Sequence, residues 1–346
     1  MRAVVIGGGI IGCSIAWRLA QRDVHVTVIE KNEPVSKASW AAAGMLLPLM
    51  EPGSPLQPLT DASFAIFPAF VDDLRDITEI DADLQIEAVG GSVDNRKLGR
   101  AVYEAAVVAG VEFVIGVGAR KVIRDDDHVR QVELADDTVL DCDVVIIAAG
   151  AWSGELLGLP YRIPVVPVRG QMFAVQHEYR LAPHILHSER CYVVPRGTTR
   201  TLVGATVERA GFDESTTDDA INDLMHCARQ LVPAIATATI VETWAGLRPG
   251  TPDDLPILGR DSRTSGLFYA TGHYRNGILL APITAQLVTE LIVEGEPSIS
   301  LADFSLDRFI VDVNSPVCDL CGSAMKEWHC RIICTGCGYQ RDCSDP

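Results

Sequence analysis

The sequence predicts an α/β fold in which a parallel-sheet domain is joined to an antiparallel-sheet domain and a small cysteine-rich tail. Three observations support this prediction. Residues 2–30 alternate strand, turn, helix and strand, residues 165–206 hold closely spaced strand candidates, and six of the ten cysteines lie between 318 and 343. With 346 residues the chain is long enough for about two domains of ordinary size.

The N-terminal segment predicts a Rossmann-like dinucleotide-binding unit. A β-rich run at 2–6 leads directly into the turn Gly-Gly-Gly-Ile-Ile-Gly at 7–12. An apolar-periodic helix follows, and a second strand at 24–29 ends on an acid, Glu30. A G-x-G-x-x-G motif acquires its meaning only in this strand–turn–helix–strand context. The alternative is a tight turn without a ligand.

Each residue type in this motif has a physical role. Gly7 permits the tight turn, Gly9 lets the backbone approach a pyrophosphate, and Gly12 lets the helix pack on the strand. The helix N-terminus presents free N–H groups to the phosphates. Glu30 lies about 20 residues further on, where a carboxylate accepts hydrogen bonds from a ribose.

Hydrophobic periodicity predicts the remaining elements of the chain. In order, these are an irregular connection at 31–60, helices at 61–78 and 98–109, strands at 111–115, within 122–140 and at 143–152, strands at 165–175, 191–195 and 201–206, a helix at 217–231, strands at 239–245 and 267–270, and a helix at 278–293. The apolar run at 143–152 is typical of a buried parallel strand arriving at a ligand. The nucleotide-binding domain is therefore expected to be discontinuous. We assign 1–60, 91–160 and 252–310 to it, 61–90 and 161–251 to a second domain, and 314–346 to the tail.

Composition excludes some classes of function. The net charge of −17 argues against a nucleic-acid partner, which would require a basic face. No apolar run reaches the roughly 18 residues that a membrane span needs. The N-terminus leads directly into a strand, so no signal peptide is visible and a cytoplasmic protein is expected.

The tail contains Cys318-x2-Cys321 and, after twelve residues, Cys334-x2-Cys337. This spacing predicts a zinc ribbon, in which four thiolates hold a structural Zn²⁺. Cys330 is the alternative ligand, and disulfides or a redox thiol pair are the alternative chemistry. A ribbon of this kind could bind a protein partner or seal an oligomer.

Five motifs together resemble the glycine oxidases of the FAD-dependent D-amino-acid oxidase family. They are Gly-Gly-Gly-Ile-Ile-Gly at 7–12, Ala-Ala-Ala-Gly-Met-Leu at 41–46, Cys-Tyr-Val-Val-Pro-Arg at 191–196, Trp-Ala-Gly-Leu-Arg-Pro-Gly-Thr at 244–251 and Gly-His-Tyr-Arg-Asn-Gly-Ile-Leu-Leu-Ala-Pro at 272–282. The resemblance covers about residues 1–310. It implies a glutathione-reductase-like FAD domain with non-covalent FAD and an antiparallel-sheet substrate domain.

The resemblance also implies an activity. Glycine would be oxidised to the imine, which hydrolyses to glyoxylate, while O2 is reduced to H2O2. In thiamine thiazole biosynthesis the imine passes instead to thiazole synthase, which is a possible partner, and a homo-oligomer is expected.

Carried over by position, the resemblance implies two sets of site residues. The substrate carboxylate would be bound by Arg248 and Tyr192, with Arg275 lining the same pocket. Beside the glycines at 7, 9 and 12, the FAD contacts would be Ile10, Ile11, Glu30, Lys31, Ala38, Ser39, Ala43, Gly44, Met45, Ala119, His273, Tyr274, Arg275, Asn276, Gly277, Ile278 and Leu279.

These residue types suit the chemistry. A planar guanidinium such as that of Arg248 binds a carboxylate through two donors, and the Tyr192 hydroxyl can add a third. Their alternative roles are a surface arginine in a loop and an edge-strand tyrosine with a solvated tip. The helix after Arg275 would direct its positive dipole end at a reduced, anionic flavin. Hydride transfer from a neutral amine requires alignment rather than a base, so His273 is expected to be positional.

Two departures from the family leave alternatives open. Arg190 stands where we expect histidine, and the stretch 81–94 is much shorter than usual, which reduces the cap over the pocket. A D-amino-acid dehydrogenase or a sarcosine oxidase on the same fold is therefore an alternative. A flavin-binding scaffold that acts through its zinc ribbon is another. A nicotinamide dehydrogenase is disfavoured, because the nucleotide domain is split and closes on the helix after Arg275.

Overall fold

The computed structural model describes residues 1–48, 50–87, 90–310, 318, 325–328, 331–334 and 339–342. The helices of the described residues are α1 (Ile10–Ala20), α2 (Ala38–Ala41), α3 (Gln57–Thr78), α4 (Asn95–Val108), α5 (Asp218–Leu231) and α6 (Gly277–Val293). None of these helices combines the length and the apolar character needed to cross a membrane.

The strands lie before, between and after these helices along the chain. They are β1 (Arg2–Ile6), β2 (His25–Glu30), β3 (Met45–Leu46), β4 (Gln85–Ile86), β5 (Gly91–Ser92), β6 (Glu112–Ile115), β7 (Ala119–Asp125), β8 (His128–Leu134), β9 (Val139–Asp141), β10 (Val144–Ile147), β11 (Val166–Gln176), β12 (Leu186–His187), β13 (Tyr192–Arg196), β14 (Arg200–Gly204), β15 (Thr239–Gly250), β16 (Ile257–Arg260), β17 (Leu267–Thr271), β18 (Met325–Trp328), β19 (Arg331–Cys334) and β20 (Gln340–Asp342).

The first domain is built on a six-stranded sheet with the order β16-β17-β10-β1-β2-β6. Its strands are parallel except β16, which runs antiparallel to β17. Val5 in the central strand pairs with Val28 on one side and with Ile146 on the other, and all three are fully buried. β-Branched residues at such positions are typical of a parallel sheet covered on both faces. The predicted α/β parallel-sheet domain is confirmed.

Helices α1, α3, α4 and α6 pack together on one side of this sheet, where Trp17, Phe67 and Phe70 are among the buried residues. Helix α3 therefore packs within the core of the first domain, whereas we assigned 61–90 to the second from the sequence. Its apolar stripe covers α1, α4 and α6 rather than the antiparallel sheet. The helix also begins earlier than predicted, because proline is tolerated in a first helical turn.

The second domain contains a five-stranded antiparallel sheet with the order β12-β13-β14-β11-β15. Helix α5 packs on one face, where Phe173, Val193 and Leu224 are buried. On the other face Ala41 and Ala43 of the first domain pack beside Met172 and Trp244. The five-stranded sheet thus faces the carboxyl ends of the parallel strands.

Three smaller sheets complete the described structure. Strands β7, β8 and β9 form the polar antiparallel unit expected within 122–140. Strands β3, β5 and β4 form a short sheet that periodicity did not predict, because each strand has only two residues. In the tail, β18, β19 and β20 form an antiparallel sheet.

Candidate active site

A cavity of about 610 Å³ lies where the parallel sheet meets the antiparallel sheet. Gly7, Ala148 and Gly272, which line it, directly follow β1, β10 and β17. Ligands of open α/β sheets bind outside the carboxyl ends of the strands, so this is the expected position for a cofactor. The cavity extends from there to Tyr192 and Arg248 of the second sheet.

The glycine-rich turn forms one end of this cavity. Gly7 has φ = +109°, and a Cβ there would lie 2.4 Å from the carbonyl oxygen of Ala148, so no other residue fits. A Cβ at Gly9 would instead meet only the Ser39 hydroxyl, at 3.4 Å. That hydroxyl accepts a hydrogen bond of 2.9 Å from the first N–H of α1, at Ile10. The turn therefore leaves the N-terminus of α1 accessible from the cavity, where an anion can bind.

The carboxylate of Glu30 is fixed beside this turn. One oxygen accepts a hydrogen bond from the Gly8 N–H and the other accepts one from the Asn32 N–H, each at 2.7 Å. A carboxylate has about four acceptor positions, so two remain for ligand hydroxyls. Lys31 and Ala119 line the same end of the cavity. This donor and acceptor set fits the adenosine half of a dinucleotide.

Arg248 and Tyr192 lie at the other end of the cavity. The Arg248 Nη1 group donates to the Thr206 carbonyl at 3.0 Å, which orients the guanidinium. The Tyr192 hydroxyl lies 3.6 Å from the sulfur of Met172. Burial raises the pKa of Tyr192, while the positive charges of Arg248 and Arg275 oppose that shift. The phenol therefore remains a neutral hydrogen-bond donor near pH 7, and a substrate carboxylate would meet both groups.

In the segment before α6, His273 is buried whereas Arg275 is exposed. His273 is only 3% exposed, and its Nε2 lies 3.1 Å from the Thr284 hydroxyl. Burial lowers the pKa of His273 to about 3, so the ring is neutral at physiological pH and is held by a neighbouring side chain. Arg275 is exposed at the cavity and lies over the Tyr274 ring.

Most of the residues carried over from the family line this single cavity. Gly12, Asn276 and Leu279 do not. A Cβ at Gly12 would lie 1.9 Å from the Gly7 carbonyl oxygen, so this glycine serves helix packing. Leu279 is buried in the first core, and its carbonyl accepts from the Ser63 hydroxyl at 2.5 Å. Arg190 is exposed at the cavity rim beside Tyr192.

Sequence reasoning missed other residues of the cavity. Gly170 lies under the Arg248 guanidinium, Trp152 lines the nucleotide end, and Asn32 helps to fix Glu30. Only the register of β11 against β15, in which Gly170 pairs with Gly246, brings Gly170 to this position. The signal for Trp152 was present, because it ends the apolar run at 143–152.

The cysteines fall into two groups. Cys13, Cys142, Cys191 and Cys227 are buried free thiols. In the tail, Cys318 and Cys334 are buried together with Met325. Cys321, Cys330 and Cys337 lie outside the described residues. A search restricted to the described part of the chain finds no group of three or more metal-ligating side chains.

Several known proteins are similar to this chain in sequence and in structure. The family model "FAD dependent oxidoreductase" matches residues 2–89 and 86–291, two parts that meet within the short stretch 81–94. The glycine oxidase of Pseudomonas aeruginosa is 32% identical over 88% of this chain and 98% of its own length. The bifunctional protein ThiO/ThiG of Synechocystis is 35% identical over 91% of this chain, which spans 55% of that protein's length.

The comparison of structures agrees with the comparison of sequences. The crystal structure of glycine oxidase from Geobacillus kaustophilus superposes with a TM-score of 0.84 at 32% identity, and the match covers 90% of this chain and 99% of the other. The family model extends over more than half of the chain and includes both ends of the cavity. The chain therefore belongs to the family of FAD-dependent oxidoreductases that contains the glycine oxidases.

Proposed function

We propose that the chain binds FAD non-covalently in this cavity and oxidises glycine, or a similarly small amino acid. The products would be the imine and then glyoxylate and ammonia, with one O2 reduced to H2O2 for each molecule oxidised. The observation that carries the proposal is that one cavity joins the Gly7, Gly9 and Glu30 cradle to the carboxylate-binding pair Arg248 and Tyr192. Full-length glycine oxidases of comparable size support it.

FAD supplies a two-electron acceptor when it is bound. The side chains of this chain hold and orient the substrate. Arg248 binds one carboxylate through its guanidinium, and Tyr192 donates its hydroxyl to the same group. Because the pKa of His273 lies near 3 and its Nε2 faces Thr284, we assign no proton transfer to it. A substrate amine that has already lost its proton in solution needs no protein base.

The relatives also support a place in metabolism. Two bifunctional ThiO/ThiG proteins align with this chain over about half their length. We propose that the imine is passed to a separate thiazole synthase in thiamine biosynthesis, in the cytoplasm. We also propose that the chain forms a homo-oligomer.

The tail carries a further part of the proposal. We assign a structural Zn²⁺ to the thiolates of Cys318, Cys321, Cys334 and Cys337. The spacing of the two Cys-x2-Cys pairs supports it, and so does the shared burial of Cys318 and Cys334. A segment of this size has too small an apolar core to fold without such a cross-link.

An anaerobic visible spectrum before and after addition of glycine tests the activity. We expect flavin bands that bleach with glycine and return with H2O2 when air is admitted. Bleaching only by sarcosine, D-alanine or D-proline would keep the family and reassign the substrate. A flavin that no amino acid reduces would contradict the proposed oxidase and favour the scaffold alternative.

A further inference from the structure

Arg196, at the end of β13, is a cation that the proposed reaction does not use. Its Nη2 group donates a hydrogen bond to the carbonyl oxygen of Ala43. Within the described part of the chain it forms no ion pair, although its neighbours Arg96 and Arg200 both pair with Glu242. The residue is partly exposed, but its guanidinium is withdrawn from solvent far enough that burial lowers the pKa of Arg196 to about 10. Asp94 and Asp83 act on the guanidinium only through space and do not pair with it. A desolvated cation without a direct ion pair destabilises a fold, so a compensating role is expected.

Gly44, which follows the carbonyl that Arg196 contacts, is confined on two sides. Gly44 has φ = +63°, and a Cβ there would lie 2.0 Å from the Val93 carbonyl oxygen and 2.6 Å from the Arg196 Nη2 group. The following peptide is anchored as well, because the Gly44 carbonyl accepts a hydrogen bond of 2.8 Å from the Val93 N–H. Only glycine fits between these two neighbours, and the orientation of the peptide is fixed.

The direction of this peptide matters because of what lies on its other side. Ala43, Gly44 and Met45 line the cavity, whereas Arg196 does not. In a planar trans peptide the C=O and N–H groups point in opposite directions. Since the Ala43 carbonyl points at Arg196, the Gly44 N–H points away from Arg196.

We propose that Arg196 is a positioning residue that turns the Gly44 N–H toward the flavin and places a positive charge behind it. The proposal rests on the proposed binding of FAD in this cavity. A fixed N–H and a nearby cation both favour the reduced, anionic flavin over the oxidised one. Arg196 would therefore set the reduction potential of the flavin without touching the substrate.

The test is the Arg196→Met variant, measured by FAD titration and by anaerobic determination of the flavin midpoint potential. We expect the dissociation constant to rise about tenfold for oxidised FAD and about a hundredfold for reduced FAD. The potential should then fall by about 30 mV, because a tenfold change in the equilibrium constant corresponds to 29.6 mV for two electrons. An unchanged potential would overturn the proposal.

The matched control is Arg200→Met. Arg200 is the register partner of Arg196 across β13 and β14, and its own contact is with Glu242 rather than with the Ala43–Gly44 peptide. We expect its FAD affinity and potential to stay within about twofold and 10 mV of wild type. An equal fall of the flavin potential in both variants would show a general charge effect and would also overturn the proposal.

The conservative variant Arg196→Lys keeps a donor and a charge but lacks the planar fork. We expect FAD binding between that of wild type and that of Arg196→Met, at an unchanged melting temperature. If Arg196→Met does not fold, Arg196→Lys is the test variant. An FAD affinity and a flavin potential equal to those of wild type in Arg196→Lys would overturn the proposal. Wild-type protein that binds no FAD would overturn both this inference and the proposed function. Wild-type protein that binds FAD and oxidises glycine, with Arg196→Met equal to it, would overturn this inference alone.

Discussion

The guanidinium of Arg248 lies directly against the Cα of Gly170. A Cβ at Gly170 would fall 2.4 Å from Nη2 and 2.5 Å from the central carbon of the guanidinium. The two residues lie on neighbouring antiparallel strands, β15 and β11, where Gly170 pairs with Gly246, two residues before Arg248. The arginine that we assign to the substrate carboxylate therefore depends on a glycine in the adjacent strand.

This contact predicts that Gly170→Ala displaces the Arg248 guanidinium. Overpacking of this kind typically costs about 1–3 kcal/mol, so we expect the KM for glycine to rise about tenfold or more. The FAD content should stay at the wild-type level, because the cofactor cradle is formed by other elements. Steady-state rates of H2O2 formation and the flavin absorbance measure the two quantities.

A double-mutant cycle separates this effect from a general loss of stability. Arg248→Lys removes the planar group that Gly170 accommodates and should itself raise the KM about 30-fold through loss of a charge-assisted pair. Adding Gly170→Ala to Arg248→Lys should then change the KM by less than about twofold. If the effects of the two substitutions on the free energy that corresponds to KM are fully additive, Gly170 does not act through Arg248.

Tyr192→Phe tests the second predicted carboxylate contact. Loss of one hydroxyl donor is worth about 1 kcal/mol, so we expect the KM for glycine to rise about fivefold with little change in kcat. The ring fills the same space, and FAD binding should be unaffected. A large fall in kcat at constant KM would instead place the hydroxyl in the chemical step.

His273 predicts a pH dependence of stability. Its folded-state pKa of about 3 lies below the ordinary value of 6.5, so between these values the unfolded chain binds a proton that the folded chain does not. This contribution to the free energy of unfolding is fully present above pH 6.5 and is lost as the pH falls toward 3. Each pH unit within that window is worth up to about 1.4 kcal/mol.

His273→Gln keeps a partner for Thr284 and removes this titration. Urea unfolding at pH 7 and pH 5 with matched FAD should therefore show a loss up to about 2 kcal/mol larger for wild type than for the variant. The pH profile of kcat near neutrality should be the same in both proteins. Equal losses of stability between pH 7 and pH 5 in wild type and His273→Gln would contradict the buried, neutral state of the His273 ring.

The tail predicts one zinc ion for each chain, which a colorimetric chelator assay after denaturation would measure. Cys334→Ser should abolish the bound zinc and leave the flavin content unchanged, because the FAD cavity is lined by other elements. Cys142→Ser is the matched control, since Cys142 is a buried thiol outside the tail. Zinc retained by the Cys334→Ser variant, or an absence of zinc from the wild-type protein, would contradict the proposed zinc ribbon.

Much of the fold was predictable from local pattern. The β1–turn–α1–β2 unit, the apolar strand β10 and the helices α4, α5 and α6 follow from hydrophobic spacing and glycine placement, which act over short stretches of chain. The packing of α3 against α4 and α6 was not predicted, because an apolar stripe does not specify the surface that it will cover. Gly170 and Arg196 were missed for a similar reason, since their contacts exist only once strands distant in sequence have paired.

The strand order of the parallel sheet also has a consequence for how the polypeptide is made. Strand β1 lies between β2 and β10, β10 pairs in turn with β17, and α1 packs against α6. A ribosome that adds about 5–20 residues per second needs roughly 15–60 s to pass residue 293. Throughout that time the apolar face of α1 lacks the contact with α6 that buries it in the folded protein. The nascent chain should therefore require chaperones until late in translation, and its cofactor should bind only after the last strand of the sheet has left the exit tunnel.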